Sequence, residues 1–252
     1  MKRSPTARSQ PDRPLILAHR GANRLAPENT LPAFEAAAAL GADGVEIDVQ
    51  YSSDGKLVVF HNLTLEATTD GQGRVSAHTL AELRSLDAGK HFGPSFAGVR
   101  IPTLDEVLDL LASRLIINIE LKVPDVSSST LGVDVAASVR AHGMAGQVII
   151  SSFNPFALRR ARRAGPEIES ALLIAPDLPA WMRWGVTRRY SRAVALHPEA
   201  SMVDATYAAR ARKLGLPLCP WTVNDEAEMR RLIALGVDAI ITDVPDKLAA
   251  LL

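Results

Sequence analysis

Disulfide bonds, a net charge and long apolar runs are all missing from this sequence. Its one cysteine, Cys219, cannot form an intramolecular disulfide, which suits a reducing compartment. No stretch approaches the roughly 20 apolar residues of a membrane span, and the first apolar run is too short for a signal peptide. We therefore expect a cytoplasmic protein without a membrane-spanning segment.

The charges of the chain balance, with 28 basic and 28 acidic residues. A chain without net charge has no global field that would recruit nucleic acid or anionic lipid, although a local basic site remains compatible with it. We therefore expect no nucleic-acid partner. The sequence gives no indication of an oligomeric state.

What is present is a regular alternation of two patterns. The chain has 252 residues and 47% hydrophobic composition, enough for one sizeable core. Short apolar runs alternate with helical patterns, and glycines stand where helices should stop. Eight strand–helix units can be counted, with "KLVVFH" (56–61) as an extra segment after the second strand. This pattern predicts a (β/α)8 TIM barrel, and a doubly wound open sheet is the alternative.

Two stretches depart from this alternation. Residues 1–13 are basic and polar, which predicts a flexible tail ahead of a single barrel domain over residues 14–252. Residues 62–101 are rich in glycine and polar residues, with one short helical pattern at 79–86. Loops of this length are usually functional or disordered. We predict that 62–101 is a small insertion over the mouth of the barrel.

Polar side chains gather at the carboxyl ends of the predicted strands, where a TIM barrel builds its active site. Strand 44–50 alternates apolar residues with Glu46 and Asp48, and strand 115–122 places Glu120 similarly. If the apolar residues pack outward, three carboxylates meet in the barrel mouth and repel one another unless a cation neutralises them. Oxygen ligands favour Mg²⁺ or Ca²⁺. Ordinary salt-bridge partners or solvated rim residues are the simpler alternative.

Several short motifs also run along the chain in a fixed order. They are "HRG" (19–21), "PENT" (27–30), "ADGVEIDV" (42–49), "VVFH" (58–61), "IPTLDEVL" (101–108), "NIELK" (118–122), "SSFNP" (151–155), "WTVN" (221–224) and "ITDVP" (241–245). Together they resemble the glycerophosphodiester phosphodiesterase family. The resemblance implies a TIM barrel with an insertion after the second strand, and metal-dependent hydrolysis of glycerophosphodiesters to sn-glycerol 3-phosphate and an alcohol.

The resemblance also implies roles for eight residues of this chain. The matched positions are catalytic His19 and His61, metal-binding Glu46, Asp48 and Glu120, and substrate-binding Arg20, Lys122 and Trp221. The implied cofactor is one divalent cation, Mg²⁺ or Ca²⁺, with Mn²⁺ as a further option.

One position departs from the family pattern. The family usually reads His-Asp where this chain reads His61-Asn62, so a neutral amide replaces a carboxylate. This change bears on the pKa of His61, on metal affinity and on the rate. Unperturbed histidine titrates near pH 6.5, so the pair can supply an acid and a base. We favour His61 as the acid on the leaving alcohol and His19 as the base, an order that the sequence alone does not fix.

Two other functions stay open. One is a lysophospholipase D-type enzyme, in which Trp181, Trp184 and the insertion contact the acyl chain of a lipid. The other is a barrel that binds a phosphodiester but turns it over weakly because of Asn62. Release of glycerol 3-phosphate from glycerophosphocholine separates the predicted hydrolase from both.

Overall fold

The structure, a computed structural model, describes residues 13–123, 129–179 and 186–252. The predicted tail falls outside these ranges except for Arg13, and Trp181 and Trp184 also lie outside the described residues. One sheet contains β1 (Leu15–His19), β2 (Gly44–Tyr51), β3 (Leu57–Val59), β4 (Ile116–Leu121), β5 (Val148–Ser152), β6 (Glu169–Ile174), β7 (Ala195–Pro198) and β8 (Ala239–Thr242).

Helices connect these strands in the alternation that the sequence predicts. In the described ranges they are α1 (Leu31–Ala39), α2 (Leu80–Leu83), α3 (Leu104–Leu111), α4 (Leu131–Ala141), α5 (Pro155–Ala164), α6 (Val186–Ser191), α7 (Ala205–Lys213), α8 (Glu226–Leu235) and α9 (Pro245–Ala249). Side chains cap several amino ends: Thr103 and Glu106 form a reciprocal capping box at α3, and Asp225 caps α8. None of the described helices has the length and apolar character needed to cross a membrane.

The sheet has the strand order β7-β6-β5-β4-β2-β1-β8, and all pairs along this path are parallel. A doubly wound sheet reverses its order at a switch point, and this sheet does not. The extra segment forms β3, which pairs antiparallel with β2. The result is a curled open α/β sheet, with the first and last strands side by side, that is consistent with a TIM barrel.

The sequence predicts the segment "LPLCPWTV" (216–223) as the seventh barrel strand, and this prediction is wrong. In the structure the segment forms only isolated β-bridges. Pro217 and Pro220 have no amide hydrogen to donate, which interrupts a regular ladder. Their carbonyls still accept hydrogen bonds from the neighbouring strands, from the amide of Leu196 at 2.9 Å and from that of Ile241 at 3.0 Å. The segment therefore lies between β7 and β8 without being a regular strand.

The alternation on β2 and β4 sorts their side chains between two faces. Val45 and Ile47 are fully buried in the main apolar cluster together with Leu104 of α3 and Phe34 of α1. The helices cover this face of the sheet, and burying it supplies the main favourable free energy of folding. The polar residues between them, including Glu46, consequently project to the opposite face.

Residues 62–101 contain α2 and two short 3₁₀ turns, so the helical pattern predicted at 79–86 is partly realised. Leu65 and Leu83 belong to a small apolar cluster that also contains Val58 and Phe60. The latter two come from the hairpin of β2 and β3 and the residue after it. The insertion therefore shares its apolar cluster with the sheet.

Candidate active site

Three carboxylates converge where β2 and β4 run side by side. Glu46 and Asp48 come from β2 and Glu120 from β4, and the register pairs Asp48 with Glu120. One oxygen of each carboxylate lies within 4.8 Å of the others. Glu46 is only 4% exposed and Asp48 only 1%. The structure thus brings together the three residues that the sequence predicts as metal ligands.

The electrostatics of this cluster favour a positive partner. Burial, reinforced by the carboxylates of Asp48 and Glu120, raises the pKa of Glu46 well above its usual range. Burial also raises the pKa of Glu120, with Asp48 acting in the same direction. For Asp48, burial acts upward too, but nearby positive groups, Lys122 first among them, lower its pKa to about 2.

Two side-chain cations already lie against the cluster. Lys122 Nζ is 2.9 Å from Asp48 Oδ1 and 2.8 Å from Glu120 Oε1, and Arg20 Nε is 3.5 Å from Asp48 Oδ2. Arg20 is also paired with Glu28 at 2.9 Å, so four carboxylates surround these two cations and formal negative charge is in excess. A buried all-oxygen donor set with excess negative charge fits a hard divalent ion.

His19 ends β1 and is held by a residue from the far end of the chain. Its Nδ1 lies 2.7 Å from Asp243 Oδ1, and its Nε2 lies 3.9 Å from Glu46 Oε2. Asp243 also accepts hydrogen bonds from Asn23 at 2.5 Å and Asn224 at 2.6 Å. Despite burial, these donors hold the pKa of Asp243 well below its usual range. Because a carboxylate only accepts, Nδ1 carries a hydrogen and Nε2 turns toward the acidic cluster.

His61 follows β3 and has a neutral partner. Its Nδ1 lies 3.0 Å from Asn62 Oδ1. Gln50 anchors this turn by donating from Nε2 to the carbonyls of Phe60 and Asn62, both at 2.8 Å. Burial lowers the pKa of His61, with the Asp48 carboxylate partly opposing this shift.

A cavity of about 150 Å³ joins these groups, and we call it the inner cavity. Seven of the eight residues to which the resemblance assigns roles line it: His19, Arg20, Glu46, His61, Glu120, Lys122 and Trp221. The eighth, Asp48, is buried behind them. Trp221 donates from Nε1 to the carbonyl of His197 at 2.7 Å and packs edge-to-face on Phe153. Both imidazoles therefore face one cavity that also contains the acidic cluster.

A second cavity of about 280 Å³ adjoins the first, and we call it the outer cavity. The two cavities share His19 and Arg20. Arg24 borders the outer cavity, as do His91 and Phe92 from the insertion. The insertion thus reaches the neighbourhood of the site.

Asn29 and Asp243 belong to the site, although no catalytic or binding role is predicted for either from the sequence. The buried Asn29 donates to Asp48 Oδ2 at 2.8 Å and accepts from the Asp48 amide at 3.2 Å. Its φ of 56° is one that Asn adopts more readily than most residues. The motifs "PENT" and "ITDVP" contain these residues. Asp243 directly follows β8, and this position at a strand end is the feature that could have indicated a role in the site.

Comparisons with known sequences agree with this geometry. The profile of the Glycerophosphoryl diester phosphodiesterase family matches residues 19–247. The chain is 41% identical to a glycerophosphodiester phosphodiesterase of Caldanaerobacter subterraneus subsp. tengcongensis, over 93% of this chain and 96% of that protein. It is 36% identical to a glycerophosphodiester phosphodiesterase of Bacillus subtilis, over 94% of this chain and 85% of that protein.

Solved structures of similar proteins have the same overall fold. A glycerophosphodiester phosphodiesterase from Agrobacterium tumefaciens superposes with a TM-score of 0.82 at 34% identity, covering 94% of this chain and 99% of that one. An Oleispira antarctica phosphodiesterase in complex with the product sn-glycerol-3-phosphate superposes with a TM-score of 0.83 at 32% identity. That match covers 94% of this chain and 96% of the other.

Proposed function

The chain belongs to the glycerophosphoryl diester phosphodiesterase family, and from that premise we propose that it hydrolyses glycerophosphodiesters to sn-glycerol 3-phosphate and an alcohol. One observation carries the proposal: the inner cavity gathers an acidic cluster, two cations and two imidazoles. We also propose a TIM barrel in which residues 216–223 take the place of the seventh regular strand. A cytoplasmic location stays a prediction from composition.

Charge neutralisation is the main task of a phosphodiesterase site. The phosphoryl oxygens carry negative charge that repels a nucleophile and must be stabilised in the transition state. Arg20 and Lys122 would bind the non-bridging oxygens, and the Glu46, Asp48 and Glu120 carboxylates would hold one divalent cation. When bound, Mg²⁺ or Ca²⁺, or alternatively Mn²⁺, would neutralise further phosphoryl charge.

The surroundings of the two imidazoles support an acid–base order opposite to the one favoured from the sequence. His61 donates its Nδ1 hydrogen to the neutral Asn62 amide, which leaves Nε2 to accept a proton from the nucleophile. Burial lowers the pKa of His61, which favours the neutral ring that a base requires. His19 instead pairs with the Asp243 carboxylate, whose charge stabilises an imidazolium. We assign His61 as the base and His19 as the acid that protonates the leaving oxygen.

Two further elements would shape the substrate site. The hydrogen bond from Trp221 fixes its indole ring at the cavity wall, where the ring would pack on the glycerol carbons. The insertion at 62–101 would form a cap beside the mouth, since His91 and Phe92 border the outer cavity.

Release of glycerol 3-phosphate from glycerophosphocholine, with and without chelator, tests this function. We expect hydrolysis that excess chelator abolishes and that Mg²⁺, Mn²⁺ or Ca²⁺ restores. A Glu46→Gln, Asp48→Asn double variant should lose metal affinity. Glu35→Gln, on the exposed side of α1, serves as the matched control and should retain it. Full activity in excess chelator, or unchanged metal affinity in the double variant, contradicts the proposal.

The same assay also distinguishes the two alternative functions. Activity confined to lipid micelles would point to a lysophospholipase D-type enzyme. Metal-dependent binding of glycerophosphocholine without turnover would point to a phosphodiester-binding barrel. The acyl-chain contacts of the first alternative involve Trp181 and Trp184, which lie outside the described residues. The second alternative depends on Asn62, which contacts His61.

A further inference from the structure

The two cavities at the mouth suggest how the two halves of a diester are separated, and this inference rests on the proposed hydrolysis. His19 and Arg20 stand at the boundary between the inner and outer cavities. A phosphodiester carries two substituents on one phosphorus. A phosphate held at Arg20 can therefore place one substituent in each cavity.

The sizes of the cavities indicate which half enters which. The inner cavity, at about 150 Å³, is well below the roughly 300–1,000 Å³ of sites for larger ligands. It contains the acidic cluster and Trp221, and its size suits the small glycerol phosphate common to all these substrates. The outer cavity, at about 280 Å³, is larger and better suited to an alcohol that varies.

The carboxylates at the outer cavity have close hydrogen-bond partners, whereas the Arg24 guanidinium has only one distant ionic contact among the described residues. Glu28 accepts a hydrogen bond from Arg20 at 2.9 Å, and Asp243 accepts one from His19 at 2.7 Å. Both carboxylates are thus engaged. Arg24, by contrast, makes one ionic contact among the described residues, 3.9 Å from Asp243, and its side chain is 67% exposed. Its guanidinium keeps hydrogen-bond donors for a ligand.

The insertion supplies an aromatic wall to the outer cavity. Phe92 is 37% exposed, and Phe96 holds its ring edge-to-face at a centroid distance of 5.3 Å. His91, the preceding residue, also borders the cavity and is exposed. A supported ring of this kind can pack on the carbon skeleton of an alcohol, while the neighbouring imidazole can donate to its oxygens.

We propose that the outer cavity binds the alcohol half of the diester, and that Arg24, His91 and Phe92 make it selective for head groups bearing hydrogen-bond acceptors. Polyols and carboxylate-bearing alcohols present oxygens to the Arg24 guanidinium. A quaternary ammonium alcohol offers the guanidinium no acceptor and places a second positive charge beside it, which is repulsive. Arg24 is therefore the specificity-determining residue, and it acts on the alcohol and not on the phosphate.

The test compares kcat/KM for glycerophosphoglycerol and glycerophosphocholine, each followed by release of glycerol 3-phosphate. Arg24→Gln should lower kcat/KM for glycerophosphoglycerol by about 5- to 10-fold, the scale of one charge-assisted hydrogen bond at a partly exposed position. The value for glycerophosphocholine should stay unchanged or rise. Arg163→Gln, an exposed arginine on α5, is the matched control and should leave both values unchanged.

A second readout separates the two halves of the substrate. Competitive inhibition by sn-glycerol 3-phosphate, which lacks the alcohol, should stay within about twofold in Arg24→Gln. Phe92→Ala should lower kcat/KM for both diesters. An unchanged substrate ratio in Arg24→Gln, weakened inhibition by glycerol 3-phosphate, or a loss in Phe92→Ala confined to glycerophosphocholine would each overturn the inference. Failure of the unsubstituted protein to release glycerol 3-phosphate from either diester would instead contradict the proposed function.

Discussion

His19 and His61 carry the same imidazole ring but have partners of different charge. The Nδ1 of His19 meets the Asp243 carboxylate, whereas the Nδ1 of His61 meets the Asn62 amide. A carboxylate favours the charged form of a nearby imidazole, and a buried neutral environment favours the uncharged form. This difference between two side chains lets one ring donate a proton while the other accepts one.

Asn62→Asp tests that difference directly. A carboxylate 3.0 Å from Nδ1 would raise the pKa of His61 from its lowered value. A base must be neutral, so the acidic limb of the kcat–pH profile should move to higher pH. Asn62→Ala removes the contact without adding charge and should not move this limb upward. If the alkaline limb moves instead, His61 is the acid and the assigned order is wrong.

Asp243→Asn should affect both activity and the pH dependence of stability. Losing the charge that supports the His19 imidazolium should lower kcat by about 100-fold or more. The lowered pKa of Asp243 stabilises the fold above the unfolded-state value near 3.9, and this contribution is lost as pH falls toward the folded-state pKa. The difference in Tm between the unsubstituted protein and the variant should thus be full at pH 7 and shrink below about pH 4.

Asp177→Asn is the control for this experiment, because Asp177 is exposed in a loop. It should leave kcat and Tm unchanged across the same pH range. A Tm difference for Asp243→Asn that is equal at pH 7 and pH 3 would show that its carboxylate charge does not stabilise the fold.

Among the elements, the insertion differs from the helices that cover the sheet because it packs on a hairpin. Its apolar cluster combines Leu65 and Leu83 with Val58 and Phe60. A capping box between Thr79 and Glu82 fixes the start of α2. Since the sheet supplies part of the cluster, we expect the insertion to fold together with the sheet.

Leu83→Ala measures this coupling. Leu83 is fully buried in the shared cluster, so its truncation should lower the free energy of unfolding by about 2–4 kcal/mol. Denaturant unfolding should remain a single transition. Leu63→Ala, at an exposed leucine of the same insertion, should change stability by less than about 0.5 kcal/mol. A separate early transition in Leu83→Ala would show that the insertion unfolds as its own domain.

For the whole molecule, metal binding should add to stability because the acidic cluster is formed in the folded chain. A ligand that binds only the folded state stabilises it by about 2.7 kcal/mol at 100 times its Kd. Added Mg²⁺ or Ca²⁺ should therefore raise Tm in a concentration-dependent way. The Glu46→Gln, Asp48→Asn variant should lose this increase, and Glu35→Gln should keep it. An equal increase in all three proteins would place the bound ion elsewhere.

Much of this molecule could be predicted from the sequence because its signals are local. The alternation on β2 and β4 identified Glu46 and Glu120, and the parallel register brings them to one place. The predicted family is confirmed by the matching profile. Pro217 and Pro220 argue against a regular seventh strand because proline has no amide hydrogen to donate. The prediction of a strand followed instead from the apolar residues around them.

The contacts that could not be predicted join residues far apart in the chain. Asn29 supports Asp48 from a loop, and nothing in its local pattern indicates that contact. His19 ends β1 and Asp243 directly follows β8, but their pairing depends on β1 and β8 lying side by side. Side-chain partners of this kind are set by the assembled sheet and not by periodicity.

The pairing of His19 with Asp243 also determines when the site can be completed during synthesis of the chain. The two residues lie 224 positions apart, so at about 5–20 residues per second the ribosome needs roughly 11 to 45 s to make the second after the first. Throughout that interval, β1 lacks its β8 neighbour and His19 lacks its carboxylate. Nascent chains should therefore remain catalytically silent on the ribosome until β8 has emerged, even after the acidic cluster has formed.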